Sequence, residues 1–327
     1  MNLQTTYLGL ELKNPLVPSA SPLSKNIDSA KRLEDAGASA LVMNSLFEEE
    51  IRLEDDMLEG FFKQQANNTS ILSEPKLPDA MCTAIDNYLM QLVSLKSTLD
   101  IPVIASLNAD TLSAWVEHVP EIEESGADAL ELNMYHLPAS IGESGADVEA
   151  LYIETLKTVK KKLNIPVVMK LSSQFSSVPN MVFRLQQAGA DGVALFNRFY
   201  HPSINLDSLE VLPQIQLSTS YESLLSMRWI AFLRDQVDLT LAATSGTHTA
   251  EDALRLLLAG ADVVHMCSAL LKHGPEHLGE VLSGIQQWME EKGYESLSQF
   301  QGSVSHAQAA NPAAYARANY LQLLKSW

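Results

Sequence analysis

The feature that most constrains the fold is a joint that recurs four times: a glycine, an alanine, then a mostly apolar run. It reads Ala36-Gly37-Ala38-Ser39-Ala40-Leu41-Val42, Ser125-Gly126-Ala127-Asp128-Ala129-Leu130, Ala188-Gly189-Ala190-Asp191-Gly192-Val193 and Ala259-Gly260-Ala261-Asp262-Val263-Val264. Glycine tolerates the left-handed backbone that closes a helix, and an aliphatic run without polar alternation marks a strand buried on both faces. Each joint therefore predicts a helix, its cap and a parallel strand. A second set of runs lies between the joints: Asn14-Pro15-Leu16-Val17-Pro18, Ile101-Pro102-Val103-Ile104-Ala105, Ile165-Pro166-Val167-Val168-Met169 and Leu239-Thr240-Leu241-Ala242-Ala243. A proline at the first strand position costs no central ladder bond. The intervening helices carry apolar residues at helical spacing, as in Ala253, Leu254, Leu257 and Leu258. Eight strands alternating with helices in a two-unit repeat fit closure into a (β/α)8 TIM barrel better than a doubly wound open sheet.

One barrel accounts for all of residues 1–327, and two stretches break its rhythm. The insertion of about 48–80 is acidic (Glu48-Glu49-Glu50, Glu54-Asp55-Asp56) and follows the second strand, so it reads equally as a lid or as a solvated excursion. Residues 200–226 form the other long connection, and residues 303–327 are expected to be a helical tail packed outside the barrel or on a neighbour. The formal charge of −18 repels phosphate backbones and anionic lipid, which disfavours nucleic acid and membrane partners. The first residues lack a leader-like pattern, no apolar run is long enough to span a bilayer, and Cys82 and Cys267 form no disulfide framework, so a cytoplasmic location is expected.

Barrel chemistry sits at the carboxyl ends of the strands. Here those ends are Ala20-Ser21, Asn44-Ser45, Asn108, Asn133-Met134-Tyr135-His136, Lys170-Leu171-Ser172, Asn197-Arg198, Thr244-Ser245-Gly246-Thr247 and Cys267-Ser268. Four asparagines that both donate and accept suit a planar heterocyclic or carboxylate-bearing small-molecule substrate, against the alternative of coincidental strand-ending amides. Lys170 closes an apolar strand, where a cation is expensive unless a ligand meets it or it snorkels past the rim. Small residues and hydroxyls on the seventh and eighth strands stand where barrels often hold a phosphate, which implies a phosphorylated cofactor. His136 is the best-placed titrating base, with Tyr135 competing for the role and a surface histidine as the bland alternative. His273 and His277 have metal-ligand spacing on a helix but no evident third ligand, so solvated surface is the better reading.

Taken in order, Asn14-Pro15-Leu16-Val17 with Ala20-Ser21, Glu131-Leu132-Asn133, Val168-Met169-Lys170-Leu171, Asn197, Thr244-Ser245-Gly246, and Gly260-Ala261-Asp262 with Cys267-Ser268-Ala269-Leu270 resemble the soluble FMN-dependent dihydroorotate dehydrogenases. The similarity runs through about residue 300. The resemblance implies a TIM barrel carrying FMN, with the phosphate at Ser245, Gly246, Cys267 and Ser268 and Lys170 beside the flavin. Ala20, Ser21, Ser45, Asn133 and Asn197 would line flavin or substrate. It further implies oxidation of dihydroorotate to orotate by hydride transfer with base-assisted proton removal, reoxidation by a second substrate, and a homodimer. Three departures stand out: His136 occupies the register of the family's Cys or Ser base, Leu137-Pro138 replaces Pro-Asn, and Asn44 replaces a strand-two lysine. Asn67 and Asn68 are candidates for the asparagine-bearing loop after strand two. The departures leave open a divergent flavin oxidoreductase acting on another small cyclic substrate and a flavin-binding subunit without turnover. An aldolase or lyase that forms a Schiff base on Lys170 is the competing enzyme class.

Overall fold

The computed structural model describes residues 1–53, 83–109, 116–199, 201–316 and 324–325. Eight parallel strands lie in one sheet: β1 (Leu16–Pro18), β2 (Leu41–Val42), β3 (Val103–Ala109), β4 (Ala129–Met134), β5 (Val167–Leu171), β6 (Gly192–Leu195), β7 (Thr240–Ala243) and β8 (Val263–Met266). Each pairs with its sequence neighbours from β2 round to β8, and β8 pairs with β1. At the remaining seam the Ser39 N–H (3.1 Å) and hydroxyl (2.8 Å) both donate to the Leu16 carbonyl, drawing β2 against β1. The chain is the expected (β/α)8 barrel. Its outer helices are α1 (Ile27–Asp35), α2 (Ala84–Thr98), α3 (Val119–Glu124), α4 (Gly145–Lys160), α5 (Val178–Gln187), α6 (Ser223–Leu233), α7 (Ala250–Ala259) and α8 (His277–Lys292).

The recurrent joint has a specific job. All four of its glycines take positive φ, from +92° to +121°. In three copies the aspartate after Gly-Ala clamps the first part of the preceding strand. Asp128 accepts the Val103 N–H (2.7 Å) and returns its own N–H to the Val103 carbonyl (3.0 Å). Asp191 does the same with Val167 (2.7 and 3.0 Å), and Asp262 with Leu241 (both 2.8 Å). A base near the end of the helix before that strand completes each clamp: Lys96 (2.5 Å), Lys160 (2.8 Å) and Arg234 (2.6 Å).

Strand side chains point alternately outward and inward. The outward set, such as Val103, Leu130, Met169, Val193, Leu241 and Val264, joins the large core beneath the helices. The inward set forms a separate small core of Val17, Ala40, Val42, Ile104, Ala129, Val168, Ala194, Ala242 and Val263. Into its amino-terminal end an antiparallel hairpin (Thr5–Tyr7 with Leu10–Leu12) drives the fully buried Tyr7, together with Leu8 and Leu12. That end of the barrel is plugged.

Of the acidic insertion, residues 48–53 are helical, with Glu48 buried and paired to Arg52 at 2.5 Å; Asn67 and Asn68 lie outside the described residues. The tail corrects an expectation. From 303 to 312 it is a series of turns whose backbone is tied to the helices, Val304 N–H to the Leu258 carbonyl (2.9 Å) and His306 N–H to the Ala231 carbonyl (2.8 Å). Between 303 and 316 it is helical only at Ala313–Ala316, because Asn311-Pro312 breaks the alanine-rich run. His306 and Tyr315 pack on Phe232 of α6, with ring centroids 4.6 and 6.3 Å away. Among the described residues no helix is long and apolar enough to cross a membrane.

Candidate active site

Where the inward rows continue past the apolar core toward the carboxyl ends, they turn polar. Ile104 is followed two residues on by Ser106 and then Asn108, Ala129 by Glu131 and Asn133, Val168 by Lys170, and Val263 by His265. Parallel register sets these side by side, Ser106 opposite Glu131 and Asn133 opposite both Asn108 and Lys170. Above them opens a cavity of about 1040 Å³. A shallower recess of about 710 Å³ lies at the other end of the barrel around Met1, Lys13 and Gln286, away from the strand ends.

The cavity wall brings together Ala20, Ser21, Asn44, Ser45, Asn108, Asn133, Tyr135, Lys170, Asn197, Arg198, Thr244, Ser245, Gly246, Cys267 and Ser268. Lys170 is buried, its ammonium 3.3 Å from Oε1 of the fully buried Glu131. The same oxygen accepts from the Ser106 hydroxyl (3.3 Å), which shares a 2.8 Å hydrogen bond with the Ser45 hydroxyl. Tyr88 of α2 fixes Ser106 from behind, accepting its N–H (2.7 Å) and donating to its carbonyl (3.1 Å). The Asn197 amide donates to Asn133 Oδ1 at 2.6 Å, tying the two side-chain amides together at the rim. Asn44 is turned into the scaffold, its Oδ1 receiving Gln91 (3.2 Å) and Ser24 (3.4 Å). Arg198 is held by Glu222 at 2.6 Å and donates to the Gln216 carbonyl.

On the β7 and β8 side the chain makes a tight small-residue shelf. Ser245 and Gly246 both have left-handed backbones, φ +76° and +78°. A Cβ on Gly246 would lie 2.2 Å from the Ser223 backbone nitrogen, so the loop is pressed against the start of α6. The Ser245 hydroxyl donates to the Phe196 carbonyl (3.1 Å), Ser226 to the Thr244 carbonyl (2.8 Å), and Ser268 Oγ accepts the Ser218 N–H (3.1 Å). Thr247, also on the wall, has a buried hydroxyl with no hydrogen-bond partner among the described residues. Burial raises the Cys267 thiol pKa, opposed by the nearby Lys170 charge.

His136 is not brought to this wall. Its ring Nε2 lies 2.6 Å from Glu143 Oε1, just ahead of α4, although Leu137 of the same loop lines the cavity. Its neighbour Tyr135 does line the cavity, edge-on to Phe199 at 4.4 Å. The rings of His273 and His277 lie 4.8 Å apart, tilted by 38°, but the ring nitrogens of His277 are engaged by Glu280 (2.6 Å) and the His248 carbonyl (2.8 Å). Glu131, Ser106 and His265 were absent from the sequence-derived site. The signal for them was available: each stands two residues before a strand-end residue already singled out, Asn133, Asn108 and Cys267, and so shares its inward face.

A plugged parallel barrel whose carboxyl ends gather a buried cation, paired asparagines and a glycine-hydroxyl shelf around a cavity has the architecture of a barrel enzyme. The profile of the family described as dihydroorotate dehydrogenase matches residues 2–289, and the chain belongs to that oxidoreductase family. It is 25% identical over 311 residues to the catalytic subunit of dihydroorotate dehydrogenase B (NAD(+)) from Pyrococcus abyssi, covering 92% of this chain and 98% of that one. It is 21% identical over 316 residues to the NAD-dependent dihydropyrimidine dehydrogenase subunit PreA of Escherichia coli, covering 92% and 76%. Against dihydroorotate dehydrogenase A (fumarate) of Lactobacillus delbrueckii the identity is 23% over 312 residues, covering 93% and 99%.

Proposed function

We propose that the chain is an FMN-dependent oxidoreductase that takes hydride from a carbon of a small ring substrate, with dihydroorotate to orotate the leading reaction. The observation that supports this is Lys170: it is the buried cation of a cavity whose other charged lining residues, Lys25, Glu49 and Arg198, are exposed. The residues present fit the cofactor. Lys170 offers charge to a ring edge, while Ala20, Ser21, Ser45 and Asn133 form the adjoining wall. Ser245, Gly246, Cys267 and Ser268 form the shelf for a phosphate, beside the unpartnered Thr247 hydroxyl. Bound there, FMN supplies the hydride acceptor. The chain's own part is to orient the substrate through Asn133 and Asn197, keep Lys170 in place through Glu131, and receive a proton at the cavity wall. Tyr135 lines that wall and takes that proton in its phenolate form, having first released its own to solvent at the open mouth, whereas the ring of His136 is held by Glu143. A larger loss of rate from Tyr135→Phe than from His136→Ala supports this assignment, and the reverse order restores His136.

A second reading, another small cyclic substrate, is favoured by Asn44. It stands where the resemblance places a lysine, and its amide oxygen is spent on Gln91 and Ser24. The imine-forming alternative fits less well, because Lys170 is already the cationic half of a buried pair. Reoxidation falls to a separate electron acceptor, and a cytoplasmic homodimer completes the proposal. The test is anaerobic: purified protein with FMN is mixed with dihydroorotate and the flavin band followed. Bleaching supports the leading reaction, bleaching only by an uncharged dihydropyrimidine supports the second, and a bound flavin that no such substrate bleaches overturns both.

A further inference from the structure

His265 lines the same cavity as Lys170. It sits on β8 with Val263, its inward neighbour two residues earlier, in the apolar interior, and it forms part of the cavity floor. It is 1% exposed, and among the described residues neither ring nitrogen has a hydrogen-bond partner. Its ring is held from below by Tyr7, edge-on at 90° with centroids 5.9 Å apart. Burial pushes the imidazole pKa down to about 4, with Glu131 opposing that shift and Lys170 adding to it. At neutral pH the ring is therefore uncharged and carries one N–H donor and one acceptor. An orphaned buried imidazole is expensive, and an apolar residue of like size would suit the barrel interior better. Such a cost is expected where a polar group is kept ready for a ligand.

We propose that His265 is a further ligand-binding residue, meeting the bound ring from the floor of the cavity with a neutral imidazole nitrogen, on the same side as Lys170. Tyr7 then acts as a positioning residue that fixes the plane of that imidazole. This rests on the reading that the cavity holds FMN, and it adds a contact from β8 that the strand-end residues do not supply.

The test titrates FMN into ligand-free wild type, His265→Leu and His265→Gln, following flavin fluorescence, with thermal midpoints recorded for each protein without ligand. A single buried hydrogen bond to the ring predicts a rise of about tenfold in Kd for His265→Leu. The thermal midpoint should be unchanged or raised, and glutamine, which keeps a donor and an acceptor, should recover most of the affinity. The ¹⁵N resonances of the His265 ring should move when FMN binds to wild type. If wild type and His265→Leu bind FMN equally and the ring resonances stay still, the contact does not exist, while the flavin reading stands. If His265→Leu and His265→Gln both lose affinity and both melt earlier, His265 is a structural residue and the inference is overturned. If wild type itself fails to bind FMN, the flavin reading falls and takes this contact with it.

Discussion

Removing Glu131 isolates the electrostatics on which the site depends. Its carboxylate is 0% exposed and faces the Lys170 ammonium, itself 8% exposed, across 3.3 Å. At an effective dielectric constant of about 20, two unit charges at that separation attract by about 5 kcal/mol. Desolvating both offsets much of this, so the pair adds little over an apolar replacement, but breaking it strands a buried charge at a cost of about 3–5 kcal/mol. Glu131→Leu and Lys170→Met are each expected to lose stability on that scale, and the double variant to lie within about 1 kcal/mol of wild type. The second oxygen of Glu131 has no partner among the described residues, which removes one compensating contact from the wild type and strengthens the expectation for the double variant. Urea unfolding of the ligand-free proteins at pH 7, followed by circular dichroism, measures all four corners of the cycle. If the single losses add to the double within about 0.5 kcal/mol, the two groups do not interact and the account of Lys170 as a carboxylate-held cation is wrong.

His265 predicts a pH effect of definite sign. Its folded pKa of about 4 lies below the ordinary value of 6.5, so between these the unfolded chain binds more protons, and stability falls as pH drops from 6.5 toward 4. Relative to His265→Gln, wild type should lose up to about 3 kcal/mol across that window and nothing above it; parallel pH profiles for the two proteins contradict this. Gly246→Ala places a methyl group 2.2 Å from the Ser223 nitrogen at φ +78°, and should cost about 3 kcal/mol in urea unfolding while weakening FMN binding at the neighbouring shelf. Asp191→Ala leaves the buried Val167 N–H without its acceptor and should cost about 1–3 kcal/mol, with Asn in its place recovering most of that because its amide oxygen still accepts. An Asn variant as unstable as the Ala variant would assign the effect to the half-exposed Lys160 pair instead.

The barrel was legible because its signals are local. A glycine that must take positive φ, followed by a run that must be buried on both faces, marks each helix-to-strand joint, and the strands appear where those runs lie. The clamp formed by Asp128, Asp191 and Asp262 was hidden in the same motif, because its acceptors bond to residues 21 to 25 positions earlier and no spacing within the joint announces them. The strand-end residues were legible once the barrel was assumed. The inward residues one step deeper were harder to read: Glu131 and His265 sit inside runs that look like continuous strands, and their inward parity emerges only by counting back two positions from Asn133 and Cys267. His136 went the other way: its register pointed to the cavity, but the loop it occupies offers Glu143 as a nearer partner. The tail misled through composition alone, since alanine content favours helix and says nothing of the backbone bonds to Leu258 and Ala231 that hold it as turns.

Tyr7 explains why the polar inward row can exist. The lower interior is built from small residues, Ala40, Ala129, Ala194 and Ala242, which leave room for the N-terminal hairpin to insert its aromatic ring. With that ring in place the barrel interior is closed from below, and the residues above it are shielded from solvent on one side while opening on the cavity on the other. Shielding raises the cost of Glu131, Lys170 and His265 to the fold, and it also strengthens every electrostatic contact they make with a ligand. Among the described residues, they open on the cavity at the carboxyl end. Under the proposed function, substrate entry, product release and reoxidation share that opening, which Ser203 and Gln214 border.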